Sequence, residues 1–156
     1  MSAILVLWDI DHTLVENHGV NKETYALAFR LLTGCEAEQR ARTDGRTEPE
    51  IMRDLLFLDF EVGGYGSDDE VRANLVAIAQ ARAIAKYGET FDKANTILVG
   101  DTPRDVRVGR DGGARVVGVA TGTDSVESLR AAGADVVLPD LGDTRAVAEA
   151  VTSLAG

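Results

Sequence analysis

The stretch Ile4-Leu5-Val6-Leu7-Trp8-Asp9-Ile10-Asp11-His12-Thr13-Leu14 constrains this chain more than any other. Five apolar residues run without a break into an acid, a second acid follows two residues later, and a threonine two after that. An apolar run this short reads as a strand buried on both faces, as parallel sheets contain. The strand is predicted over residues 4–8. Asp9 then stands at its carboxyl end, where open α/β sheets place their ligands. Carboxylates set against a hydrophobic strand are costly unless something offsets their charge. A divalent cation does so, and Mg²⁺ prefers one or two carboxylates with waters and phosphate oxygens.

A second run of the same design lies far downstream. Thr96-Ile97-Leu98-Val99-Gly100-Asp101 is an apolar strand ending in Gly-Asp, and Asp105 follows four residues on. Around these strands the pattern alternates. Asn21 caps a predicted helix to about Leu32, and another is predicted from Glu48 to Leu56 with Pro49 in its first turn. Residues 58–62 alternate, as an edge strand or a bend does. Ser67, with Glu70 three residues on, has the form of a capping box opening a long helix that Gly88 ends. Pro103 opens a helix reaching Gly112-Gly113, Arg115 to Val119 is a strand, and Asp124 caps a helix closed by Gly133. Asp135 to Leu138 is the last strand, and Asp143 caps the terminal helix. Apolar strands alternating with helices predict an α/β fold with a doubly wound parallel sheet.

At 156 residues with 45% hydrophobic content the chain suits one domain with a small insertion. No basic start precedes the first apolar run and no run reaches membrane-spanning length, so neither a signal peptide nor a membrane partner is expected. The lone Cys35 excludes an internal disulfide and suits a cytoplasmic location. The net charge of −10 argues against a nucleic-acid partner, because that affinity rests on cationic contacts. It leaves small phosphorylated molecules open, since a bound cation sets the local sign.

Asp9-x-Asp11-x-Thr13 resembles the first motif of the haloacid dehalogenase (HAD) superfamily, and Gly100-Asp101 with Asp105 resembles its acidic motif. The two stand in the family's order, each at the end of an apolar strand. The resemblance implies a Rossmann-like core over residues 1–14 and 58–156, with a partial α-helical cap over 15–57. Gly45-Arg46-Thr47 is similar to a stretch in caps of phosphoglycolate-phosphatase-like members. One family feature has no counterpart. Between Leu14 and Ser67 there is no four-residue apolar run followed by Ser or Thr, because Leu55-Leu56-Phe57-Leu58 runs into Asp59. The core strand that neighbours the first strand in the family, and part of the cap, are therefore expected to be missing from this sequence: the chain is naturally minimal, or it has been cut, or the protein has a disordered segment that this sequence leaves out, the last two being favoured.

The resemblance implies a role for each acid. Asp9 is the expected nucleophile, forming an aspartyl-phosphate that water hydrolyses. Asp11 is the expected general acid and base; dehalogenating members lack an acid there, so Asp11 favours a phosphate ester. Asp9, Asp11, Asp101 and Asp105 are the expected metal ligands, with Mg²⁺ as cofactor. Thr13 is expected to brace the loop and bind substrate. The family's cation that holds the phosphate is usually a lysine at the start of the long helix; Arg72 occupies the comparable place, and a guanidinium holds phosphate with two hydrogen bonds. Lys86 is the substitute, and His12 is expected to point away. The function implied is a Mg²⁺-dependent phosphatase, a phosphoric monoester hydrolase, acting on a small phosphorylated metabolite. A phosphomutase or phosphonatase is a sibling reading. The alternatives are an impaired or inactive deletion variant and a receiver-like phospho-accepting domain; no Lys follows Leu138, where a receiver would need one. A monomer or a swapped dimer is expected, since exchange supplies a missing element.

Overall fold

The structure is a computed structural model that describes residues 3–10, 13 and 59–155. The helices predicted at 21–32 and 48–56, and with them the cap, lie outside the described residues. Strands β1 (Leu5–Trp8), β2 (Thr96–Gly100), β3 (Arg115–Val119) and β4 (Val136–Leu138) pair in parallel in that order. The register sets Trp8 beside Val99 and Gly100 beside Gly118. Helices α1 (Asn74–Tyr87), α2 (Pro103–Gly112), α3 (Val126–Ala132) and α4 (Thr144–Leu154) complete the described elements.

Pleating sends successive side chains to opposite faces, so each interior strand feeds two cores. On one face Leu98 and Val116 pack with Val76 of α1, Val106 of α2 and Leu129 of α3. On the other, Ile97, Val99, Val117 and Val119 pack with Ala150 of α4. Helices thus cover both faces, the doubly wound arrangement expected from the alternation of apolar runs. No helix among the described residues is long and apolar enough to cross a membrane.

Two expectations of where helices start need correction. The long helix begins at Asn74, not at Ser67: residues 67–73 are turns, and Asp68 and Asp69 accept hydrogen bonds from Tyr65 and Val71 backbone N–H groups. Acid side chains bonded to nearby N–H groups hold the chain in turns and compete with the helix. The helix predicted from Asp124 is capped by Ser125, one residue further on, while the Asp124 carboxylate accepts from the Ser128 hydroxyl. Residues 60–62 form a turn, the bend of the two forms that 58–62 allowed. The strands over 96–100 and 115–119, the helix over 103–112 and the Asp143 cap stand where the pattern puts them.

β1 also differs from expectation in burial. Only Leu5 of its four residues is buried, and Val6, Leu7 and Trp8 are half-buried. Among the described residues β1 pairs with β2 alone and forms an edge of the sheet. A cleft of about 720 Å³ follows it, lined by residues 3–10 and walled by Val62, Leu75, Ala79 and Phe91.

Candidate active site

The site forms where β1 and β2 end side by side. The Asp9 N–H donates to the Val99 carbonyl at 2.8 Å, carrying the parallel ladder one residue past β1 and fixing Asp9 beside the Gly100-Asp101 end of β2. Asp101 leaves β2 buried, at 3% exposure, and Asp105 lies in the first turn of α2, at 6%. Carboxylate oxygens of Asp9, Asp101 and Asp105 all lie within 4.8 Å of one another. Thr13 is buried and spans two of them, donating to Asp101 Oδ1 at 3.0 Å, with Asp9 Oδ2 at 3.4 Å.

Asp105 is held from α2's own start. Thr102 caps the helix, and its Oγ1 accepts the Asp105 N–H at 3.2 Å. The Asp105 carboxylate in return accepts the Thr102 N–H at 3.1 Å and the Thr102 hydroxyl. This reciprocal cap fixes both the helix start and the direction of the acid. Thr102 was not singled out from the sequence, although Thr-Pro-x-Asp has the spacing of a capping box with Asp in place of Glu.

Three carboxylates this close repel one another, and burial withdraws the water that would moderate the repulsion. A cation relieves both costs. The donors are all carboxylate oxygens, which suits Mg²⁺ and other hard divalent ions rather than a thiol- or imidazole-seeking metal. The residues present therefore fit the ion. Arg72 brings a fixed positive charge: its Nη1 lies 3.9 Å from Asp105 Oδ1, and its side chain is 45% exposed. It stands in the turn before α1, and with Asp9 and Asp105 it lines the end of the cleft along β1.

Residues 72–144 match the family model for HAD-hydrolase-like proteins. That part of the chain is HAD-hydrolase-like. The match covers just under half of the chain and includes the Gly100-Asp101 strand end, Asp105 and Arg72. No curated protein matches the chain. Among solved structures, the chain is similar to a conserved haloacid dehalogenase-like protein of unknown function from Agrobacterium tumefaciens, at 26% identity and a TM-score of 0.38, over 49% of this chain and 35% of that one. A hydrolase from Pseudomonas syringae shows 23% identity and a TM-score of 0.46, over 69% of this chain and 50% of that one. A predicted phosphatase from Clostridium acetobutylicum shows 13% identity and a TM-score of 0.43, over 99% of each chain. The chain thus spans between a third and a half of the length of the first two.

Of the residues singled out from the HAD motifs, the structure brings together Asp9, Thr13, Asp101 and Asp105, with Arg72 alongside. Asp11 and His12 lie outside the described residues. Lys86, the substitute cation, is engaged elsewhere: its Nζ donates to Asp59 at 2.9 Å and to Glu61 at 2.7 Å. These bonds raise the Lys86 pKa, and the same Lys86 bond, with one from the Tyr87 hydroxyl, holds the Asp59 carboxyl below its usual range. The pair fastens the 59–61 turn to the end of α1. Arg82 does the same for the next loop, donating to both Asp68 oxygens and to the Gly63 carbonyl.

Proposed function

We propose that this chain is a divalent-cation-dependent phosphoric monoester hydrolase that acts on a small phosphorylated metabolite with Asp9 as nucleophile. The observation that carries the reading is the convergence of Asp9, Asp101 and Asp105 at adjoining strand ends. Asp9, Asp101 and Asp105, with Asp11 in the family pattern, would hold Mg²⁺. When bound, the ion neutralises charge on the phosphate and on Asp9, so that two anions can approach.

The chain's own residues divide the work. Asp9, fixed by its N–H bond to Val99, lines the cleft in which the ester would bind. Attack on phosphorus forms the carboxylate–phosphorus bond as the ester oxygen leaves, and Asp11 supplies that oxygen with a proton. Water then attacks the aspartyl-phosphate, Asp11 takes its proton, and inorganic phosphate departs. Arg72 binds phosphate oxygens beside Asp105 and orients phosphorus in line with Asp9. Thr13 holds Asp101 in place by its 3.0 Å bond.

Hydrolysis of p-nitrophenyl phosphate tests the reading. Turnover requires Mg²⁺, stops with EDTA, and is lost in Asp101→Asn. Catalysis at an unchanged rate in EDTA would overturn it. One observation favours a second reading, an impaired enzyme: the edge strand that carries Asp9 has no outer neighbour among the described residues. Under that reading the protein binds Mg²⁺ and turns over no ester.

A further inference from the structure

Two of the three acids rest against glycines, in different ways. A Cβ built on Gly100 would lie 2.6 Å from the Asp105 Cβ and 3.0 Å from its Cγ. These atoms are anchored to the backbone of α2, so a side chain at 100 presses the helix away from the sheet. A Cβ built on Gly122 would lie 2.0 Å from Asp101 Oδ2, 3.1 Å from its Cγ and 3.6 Å from its Cβ. There the clash falls on the end of the side chain. Gly122 belongs to the bend that follows β3, and its φ is not in the left-handed region. Backbone conformation therefore does not call for glycine at 122; the approach of a carboxylate does.

We infer that Gly122 is a positioning residue for the cation centre: its bare Cα lets the Asp101 carboxylate lie over the β3 bend while Thr13 holds the opposite oxygen. The inference rests on the reading of Asp101 as a cation ligand. Asp101 Oδ1 accepts from Thr13 and Oδ2 passes over Gly122, so the carboxylate plane is defined from both sides. A methyl group at 122 turns the carboxylate out of that plane. The turn breaks the Thr13 bond or points Oδ2 away from Asp9 and Asp105. Neither Gly122 nor Asp101 is a member of the packed cores. Loss of cation affinity and loss of stability therefore separate at Gly122, whereas at Gly100 they come together.

The test is calorimetric titration of Mn²⁺ into metal-free protein, with a thermal melt of each variant in EDTA. Gly122→Ala is expected to melt as the unaltered protein does and to bind Mn²⁺ about 10–100-fold more weakly, the range for residues that orient a ligand. Gly66→Ala, where a Cβ meets nothing within 4 Å, changes neither measurement. In an Asp101→Asn background, Gly122→Ala adds no further loss. Unaltered protein that takes up no Mn²⁺ overturns the cation reading and this inference with it. Unaltered protein that binds Mn²⁺, with Gly122→Ala binding equally well, overturns the inference alone. Failure of Gly122→Ala to melt cooperatively overturns it also, because the glycine would then be a packing requirement of the fold.

Discussion

β1 and β2 are strands of nearly the same composition in very different surroundings. Every residue of β2 is buried, with a neighbouring strand on each side and helices on both faces. β1 is as apolar, yet three of its four residues are half-buried and a cleft runs along its outer edge. An apolar strand is buried by its neighbours, not by its own sequence. The difference passes into the candidate site. Asp101 comes from the enclosed strand and Asp105 from the helix packed on it, and both are buried. Asp9 comes from the open strand and is half-buried. Asp101 and Asp105 are thus built into the core, and Asp9, the proposed nucleophile, stands at its margin and lines the cleft.

The strongest way to break this contrast is at the acids. Asp9→Asn is expected to lower turnover of p-nitrophenyl phosphate by at least about a thousandfold. Its melting temperature stays near that of the unaltered protein, because the residue lies outside the cores. A collapse of the fold in Asp9→Asn would mean that the margin is structural. Arg72→Ala raises KM about tenfold with a smaller effect on kcat if the guanidinium holds phosphate in the ground state. An unchanged KM would leave Arg72 as only a surface partner of Asp105.

Packing gives the next effects. Ile97→Ala, in the enclosed strand, costs about 2–5 kcal/mol of unfolding free energy in urea. Leu7→Ala, on the open strand, costs roughly 1 kcal/mol because its methyl groups are already partly in water. Equal losses would show that β1 is as enclosed as β2 in solution. Thr102→Ala removes the α2 cap and costs about 1 kcal/mol.

The smallest effect concerns Asp59 and Lys86. The folded Asp59 carboxyl is held below its usual range, first by the Lys86 bond. Its contribution is therefore present above the unfolded carboxylate value, about pH 4, and is lost as pH falls through the lower folded value. Both partners lie at the surface, so Asp59→Asn shifts the melting temperature at neutral pH by no more than about 2 °C. That difference disappears in strong acid, which a pH series of melts will read.

The sheet and its order of elements were legible because apolar runs and glycine or proline stops are local signals. Thr96 to Gly100 and Pro103 to Gly112 lie where those signals place them. The start of α1 was not legible: Ser67 and Glu70 have capping-box spacing, but Asp68 and Asp69 bond to local N–H groups and keep 67–73 in turns. The half-buried state of β1 was hidden as well, since burial depends on neighbours that a strand's own residues do not record. Of the site, the acids could be read from their spacing. Thr102 carried the signal of a capping box with Asp in place of Glu, whereas Gly122 carried none, because it acts through the lack of a side chain.

The most direct test of the account is to trap the covalent intermediate. Protein incubated with aryl phosphate and Mg²⁺ is quenched with borohydride, which reduces an acyl phosphate to an alcohol, and its peptides are weighed. The account predicts reduction of residue 9 to homoserine, absent in EDTA. Reduction at Asp101 or Asp105 instead, or hydrolysis of the ester with no modified peptide, would contradict it.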